Sequence, residues 1–404
     1  MELQKSILHN EFKIKLIKHL YGHKSLTVSD LSRGIRKSIP FTTSLVNEMV
    51  EEGILSEDGL AESKGGRRAQ LFSFAKDIYY SIAVSINQFH TTIAVFDLSG
   101  EQVGGTWSRN IQLSKCGEDL VELGEFLAVC IKESAIPKDR ILGIGIGMPG
   151  FIDVNLGVNH SFLNSKNKSL VYYLESLLDL PVFIDNDSSL IGLAEHRFGL
   201  AKDRKNALVV NIGWGIGLGI IILDEVFRGN NGYAGEFSHI PLFENDKICS
   251  CGKIGCLETE TSMNVLLEKA TEGLEKGIKT KLPDRLPEDK TEAVKVIFDA
   301  LEEGDSFSIS LLKHIGQNLG RGLSILIHLF NPGLIVLSGF GSAPGRYLWA
   351  SVQQAINEGS ISKLAEDTEI KISELGSSAE LIGAAALVIE RMEELKEKII
   401  TQVR

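Results

Sequence analysis

Apolar positions in the first fifty residues recur at helical spacing. In "FKIKLIKHLYG", Phe12, Ile14, Leu16, Ile17 and Leu20 predict a helix closed by Gly22. In "LTVSDLSRGI", Thr27 or Ser29 can cap a second helix that buries Leu31 and Ile35. "SIPFTTSLVNEMVEEG" predicts a third, with Ser38 near the cap, Pro40 in the first turn, Leu45, Met49 and Val50 inward and Gly53 as the stop. The period then shortens: "ILSED" and "AQLFSF" read as strands, and the glycines and cations of "GLAESKGGRRA" between them suit an exposed hairpin tip. From Ile78, strand and helix patterns alternate. "YYSIAVSINQFHTTIAVFDLSG" opens with two tightly joined β-rich runs. "ILGIGIGMPG", "PVFIDNDSS", "ALVVNIGWGIGLGIIIL" and "LIVLSGFGS" are apolar, β-branched runs ending in Gly, Asn or Asp, the pattern of buried strands with loops at their tips. "EDLVELGEFLAVCIKESA" and "SLVYYLESLLDL" read as the helices between them, so the chain is α/β. The last helix, "AELIGAAALVIERMEELKEKI", has an apolar first half and a charged tail.

These patterns divide the chain into a first domain, 1–76, a first α/β lobe, 77–190, completed by the C-terminal helix 380–404, and a second lobe, 191–379. A length of 404 residues, beyond the usual size of one core, agrees with several packed units. No run approaches the roughly 18 apolar residues of a membrane span, and the amphipathic start lacks the features of a secretory signal. Five cysteines, an odd number and mostly clustered, fit a reducing, cytoplasmic setting better than a disulfide framework.

Charge is unevenly spread. Residues 1–76 hold 12 Lys and Arg against 9 Asp and Glu, whereas the remainder holds 30 against 44. If nucleic acid is bound, the first segment binds it. Three short helices followed by a two-stranded flap resemble a winged helix-turn-helix, whose third helix enters the major groove. Thr42, Thr43, Ser44 and Asn47 are then the candidates for base edges or phosphates, and Lys64, Arg67 and Arg68 at the wing tip the candidates for phosphates of an operator DNA. The competing interpretation is a small helical module for protein contacts.

"ICSCGKIGCLETE" packs Cys249, Cys251 and Cys256 into eight positions, with Gly252 and Gly255 allowing a tight fold. His239 in "GYAGEFSHIPL", ten residues upstream, supplies a fourth donor. One His and three Cys make a closed, tetrahedral zinc site of structural type. Cys116 and Cys130 lie in an amphipathic helical region and read as core residues.

Together with "GMPG", the "ND" of "IDNDSS", "AEHRFG", "GWGIGLG", "AGEFSH" and "LIGAAAL", this cluster makes nearly the whole chain similar to the ROK family of sugar kinases and sugar-responsive repressors. The resemblance implies a two-lobed, actin-like, ribonuclease H-like sugar kinase fold behind the winged head, with a sugar in the cleft between lobes. It implies that Asn186 and Asp187 hold sugar hydroxyls, Asp187 being the base in kinase members. It also implies sugar contacts from Glu236 and His239 of "GEFSH", where Ser238 replaces the usual Gly, and from Glu258. Near "NHSFLNSKN" the family's sugar-contacting Asn aligns with Ser161.

Kinase members cradle ATP with an Asp, two glycines and a Thr on the first lobe. Here Ser85, Asn87, Gln88 and Phe89 stand at those positions, and Trp214 stands where "GWGIGLG" would carry Thr. Side chains of that size keep backbone amides away from a polyphosphate, so the resemblance implies a non-catalytic sugar sensor with no catalytic residue. A sugar effector would then rotate the heads of a homodimer or homotetramer out of register on DNA. The alternatives are an active ATP-dependent sugar kinase and a DNA-binding protein that no longer senses sugar.

Overall fold

In the computed structural model the described residues are 2–62, 68–111, 118–163, 169–395 and 398. They form two compact units, Met1–Phe198 with Glu380–Arg404, and Gly199–Ala379. The first unit opens with α1 (Glu2–His9), α2 (Glu11–Leu20), β1 (Leu26–Thr27), α3 (Val28–Gly34), α4 (Ile39–Glu51), β2 (Leu55–Leu60) and β3 (Gln70–Phe74). The expected three helices are thus preceded by a fourth. Asn10 separates α1 from α2 because its side-chain oxygen accepts from the amides of Phe12 (3.0 Å) and Lys13 (3.4 Å), capping α2 afresh. Thr27 and Asp30 form a reciprocal capping box on α3, and Ser38 caps α4. β3 lies between β1 and β2, both antiparallel to it, which gives the head its wing.

Ile14, Leu16, Ile17, Leu20, Leu31, Leu45, Val46 and Met49 form the buried side of the head. Lys13 is buried among them, its ammonium 2.6 Å from both Glu48 and Glu52 and donating to Ser6 at 2.8 Å. Burial alone would lower the Lys13 pKa, and the two glutamates more than offset it.

The same unit continues with β4 (Tyr80–Ile86), β5 (Thr91–Asp97), β6 (Gln102–Arg109), α5 (Glu118–Glu133), β7 (Ile141–Met148), a β8 (Ile152–Asp153) and β9 (Val158–Asn159) hairpin, α6 (Leu170–Leu178), β10 (Val182–Asn186) and α7 (Asp187–Phe198). Strand order is β10-β7-β4-β5-β6, with β4, β7 and β10 parallel. Ile82, Val84, Ile144, Ile146 and Val182 of the sheet pack with Leu123 and Leu127 of α5 and Leu174 of α6.

The second unit repeats the plan. β11 (Asn206–Ile212), β12 (Ile216–Ile222) and β13 (Glu225–Val226) form the antiparallel part; α8 (Met263–Glu275), α9 (Lys290–Glu302) and α10 (Ser306–Phe330) follow. Then come β14 (Leu334–Ser338), α11 (Gly345–Gly359), α12 (Ser362–Glu366) and β15 (Glu369–Ile372). The order β13-β12-β11-β14-β15 has the same sense of pairing as the first sheet. Two such sheets are the duplicated, actin-like arrangement expected from the sequence.

The C-terminal α13 (Ala379–Glu390) returns to the first unit and lies directly on β7. A Cβ on Gly145 would stand 1.9 Å from the carbonyl oxygen of Ala384, and one on Gly383 would stand 2.0 Å from that of Leu190 on α7. The glycines of "GIGIG" and "LIGAA" therefore serve close backbone approach.

Candidate metal centre and sugar site

The second unit brings His239, Cys249, Cys251 and Cys256 together, with ligand atoms all within 4.8 Å of one another. Gly252 and Gly255 adopt φ of 82° and 77°, turning the chain so that Ile248 bridges to Ile254 and Pro241 to Cys256. Cys249 Sγ lies 3.4 Å from His239 Nδ1, and Cys251 Sγ lies 3.6 Å from Cys256 Sγ. Tetrahedral bonds of about 2.3 Å to sulfur and about 2.0 Å to nitrogen ask for edges of roughly 3.5 to 3.8 Å. The donor set and its spacing therefore fit a metal ion.

The carboxylates predicted for sugar sit against this cluster. His239 turns Nδ1 to Cys249 and leaves Nε2 3.5 Å from Glu236 Oε2. Glu258 reaches from the thiols to the glycine-rich turn: Ser250 donates to its Oε1 at 3.4 Å, and the Ile216 amide donates to its Oε2 at 3.3 Å. A Cβ on Gly215 would come within 2.7 Å of that oxygen, so Glu258 occupies the mouth of the "GWGIGLG" turn. In the same turn the Trp214 ring packs on Phe340 at 5.0 Å, and Asn264 donates to the Trp214 carbonyl at 2.7 Å.

Sequence reasoning missed Glu260. This buried carboxylate accepts from His314 at 2.9 Å and Asn245 at 2.8 Å, with Lys269 at 3.6 Å. Burial alone would raise its pKa, but His314, Lys269 and Lys247 hold it below the ordinary glutamate range. It ties the cysteine loop to α8 and α10, and only the acidic spacing of "LETE" hints at it.

The first unit holds the other predicted sugar residues. Asn186 ends β10 and caps α7, accepting from the Ser188 amide at 3.0 Å, while its side-chain amide donates to the Gly150 carbonyl at 3.4 Å. Asp187 stands in the first turn of α7 and accepts from the Ser188 amide at 2.8 Å and hydroxyl at 3.1 Å. Both are half-buried. Ser161 Oγ accepts from the Phe151 amide at 3.1 Å, which fixes it beside the Gly150 turn. At the end of β4, Asn87 Oδ1 accepts from the amides of Phe89 (2.8 Å) and His90 (2.9 Å), and the Asn87 amide donates to His90 at 3.0 Å. The loop closes on itself as an Asx turn.

The DNA candidates divide three ways. Ser44, Asn47 and Arg68 are exposed, and half-buried Thr43 donates to the Ile39 carbonyl at 2.8 Å. Thr42 corrects the expectation: it is 0% exposed, and its hydroxyl donates to the Ser38 carbonyl at 3.0 Å, so it faces the core beside Leu45 and Val46. Lys64 and Arg67, like Cys116, lie outside the described residues, and Cys130 is buried as expected. Arg33, Arg36 and Lys37 of "RGIRK" form a further exposed cationic run around the turn between α3 and α4.

The family model described as "ROK family" matches residues 81–391. The chain belongs to the ROK family. A putative xylose repressor of Caldicellulosiruptor sp. (strain Rt8B.4) is 30% identical over 386 residues, 94% of this chain and 96% of that protein. The DNA-binding transcriptional dual regulator NagC of Escherichia coli (strain K12) is 28% identical over 354 residues, 87% of this chain and 85% of that protein. A crystal structure of a ROK family transcriptional regulator, a homolog of the E. coli MLC protein, matches with a TM-score of 0.79 at 25% identity, over 96% of this chain and 97% of that one. Among the described residues no helix is long and apolar enough to cross a membrane.

Proposed function

We propose that this protein is a sugar-responsive transcriptional repressor in which a winged head binds operator DNA and a non-catalytic kinase-like part binds the effector. Repressor relatives that align over nearly the full length support the regulator, and the capped α4 followed by a β2–β3 wing supports the DNA contact. Ser44, Asn47, Arg68 and the wing-tip Lys64 and Arg67 are the proposed DNA contacts. The proposed sugar ligands are Asn186, Asp187, Glu236, His239 and Glu258. Zinc, held by His239 and the three cysteines, is assigned a bracing role with no position for a catalytic water. It fixes the His239 ring so that Nε2 faces Glu236. Two heads of a homodimer or homotetramer would read paired half-sites.

The observation that supports regulator over kinase is the Asx turn at Asn87. Phosphoryl transfer depends on amides and cations arranged around the phosphates. Here the Phe89 and His90 amides are consumed by the Asn87 side chain, and Trp214 adds bulk to the second loop. An operator selected from random-sequence DNA, titrated with protein and a sugar panel, tests the reading. We expect specific binding that at least one sugar weakens, and no ADP release with glucose, mannose or N-acetylglucosamine in a coupled assay. Sustained sugar-dependent ADP release would establish the kinase, and operator affinity indifferent to every sugar would establish a constitutive DNA-binding protein.

A further inference from the structure

At the carboxyl ends of the parallel strands in the first unit, one carboxyl has no role in the reading above. Ser85 of β4, Gly147 of β7 and Asp185 of β10 share one register row, and Asp187 follows at the start of α7. Into this row the first turn of α13 sends Glu380. A Cβ on Gly147 would stand 2.9 Å from Glu380 Oε1 and 3.2 Å from its Cγ, so Gly147 makes room for the arm of this residue. Glu380 Oε1 is sealed from solvent and has no hydrogen-bond partner among the described residues. The Ser85 hydroxyl is hydrogen-bonded to the same carboxyl, and the charge of Asp187 bears on it.

Two helix starts side by side would ordinarily welcome an anion. Here each carries a carboxyl of the protein in its first turn, Asp187 on α7 and Glu380 on α13. We propose, building on the sugar-sensor reading, that Glu380 is a positioning and selectivity residue whose carboxyl, set behind Asp187, restricts this end of the effector to an unphosphorylated hydroxyl group. With the Glu380 oxygen sealed behind it, half-buried Asp187 is the carboxyl left to accept from a sugar hydroxyl. A phosphate ester in that place would set a dianion against the carboxyl groups of Asp187 and Glu380. Burial first, and the Asp187 charge second, push the Glu380 carboxyl up to about 8, with Ser85 acting in the opposite direction. Around the pair stand Ser85 of β4, Gly147 of β7, the buried Asp185 of β10 in the same row, and the apolar Leu190 beside Asp187 on α7.

Calorimetric titration of the full-length protein with xylose, glucose, N-acetylglucosamine, glucose 6-phosphate and N-acetylglucosamine 6-phosphate tests the assignment. At pH 7 an unphosphorylated sugar should bind, with any 6-phosphate at least about tenfold weaker. A sugar that covers half-buried Asp187 buries the pair further and favours the protonated form of Glu380. Its affinity should therefore fall about threefold or more between pH 7 and pH 9, as Glu380 ionises. Glu380→Gln, which keeps the shape of the neutral acid, should bind the sugar at pH 7 and lose this pH dependence. Ser85→Ala, which removes the donor favouring the carboxylate, should move the fall to higher pH. A 6-phosphate that binds as tightly as its parent sugar, or a pH profile unchanged in Glu380→Gln, overturns the role of Glu380 and leaves the sensor reading standing. Binding of no sugar at all removes the sensor reading and this role with it.

Discussion

Cys256 and Cys251 face each other at 3.6 Å, and their surroundings shift the two thiols in opposite directions. Burial and the neighbouring thiols push Cys256 up to about 12. Burial also opposes ionisation of Cys251, but the Lys253 backbone amide and the other two thiols outweigh it and hold its pKa below the ordinary thiol value. A metal must displace the Cys256 proton, so uptake should release protons and weaken steadily with acid. Elemental analysis of the purified protein is expected to find about one zinc per chain. Cys256→Ser should abolish it and lower the melting temperature by several degrees, whereas Cys130→Ala, in the core of the other unit, should keep the metal. Full zinc content in Cys256→Ser would refute the assigned ligand set. The cysteine spacing made this centre legible because all four donors fall within 18 residues. Thr42 was misread for the converse reason. Its small hydroxyl suits a DNA contact on composition, but the helical repeat from Leu45 and Met49 puts it inward, and the Ser38 carbonyl satisfies it.

Helices α7 and α13 run from the residues proposed to bind the effector to the head proposed to bind DNA. α7 begins at Asp187 and ends, about 18 Å along at 1.5 Å per residue, at Phe198. The Phe198 ring meets Tyr21 of the head edge-on at 5.0 Å. The preceding carbonyl, of Arg197, lies 2.4 Å from where a Cβ of Gly22 would stand, and Gly22 adopts φ of 87°, so the head is seated on the helix end with no space for a side chain. α13 begins beside Glu380, touches α7 at Gly383, and ends at Glu390, which pairs with Arg197 at 2.8 Å. Beyond it, Glu393 pairs with Lys18 of α2 at 2.7 Å. A ligand that moves the start of either helix has a rigid path to the head, and rigid elements with packed ends are what carry coupling. Phe198→Leu removes the ring pair and keeps most of the apolar volume. We expect it to bind sugar within about threefold of the parent while the sugar-induced loss of operator affinity shrinks by at least about threefold. Anisotropy with labelled operator and calorimetry with sugar measure the two, and a full sugar response in Phe198→Leu would refute the route. The helices themselves were visible as apolar periodicity. Their shared contact at Gly383 was not, because close approach of two backbones leaves only a glycine as its mark.

For the whole molecule, the charge division bears on how the proposed regulator would hold DNA. Residues 1–76 carry a small positive excess and the remainder a large negative one, so operator binding depends on cations concentrated in the head and should weaken steeply with salt. Arg68→Ala should reduce the slope of log affinity against log salt by about 1 per head and lower affinity for all sequences alike. An unchanged slope would show that Arg68 does not contact a phosphate. Much of the organisation was present in the linear pattern: a helical head, a wing, alternating strands and helices, and a His-Cys cluster with its adjacent carboxylates. Each of these follows from periodicity or short spacing, which act between near neighbours in the chain and need no tertiary knowledge. What lay beyond the pattern arises between residues far apart in sequence. Glu380 meets Ser85 and Asp187 only because α13 returns over β7. Glu260 meets His314 only because the cysteine loop folds onto α10. The amino-acid order by itself determined which elements form and which donors cluster locally, since backbone geometry and side-chain period dictate both. Tertiary structure alone decided which carboxyls come together and which helices run from the proposed effector residues to the head, because burial and charge coupling depend on distance in space.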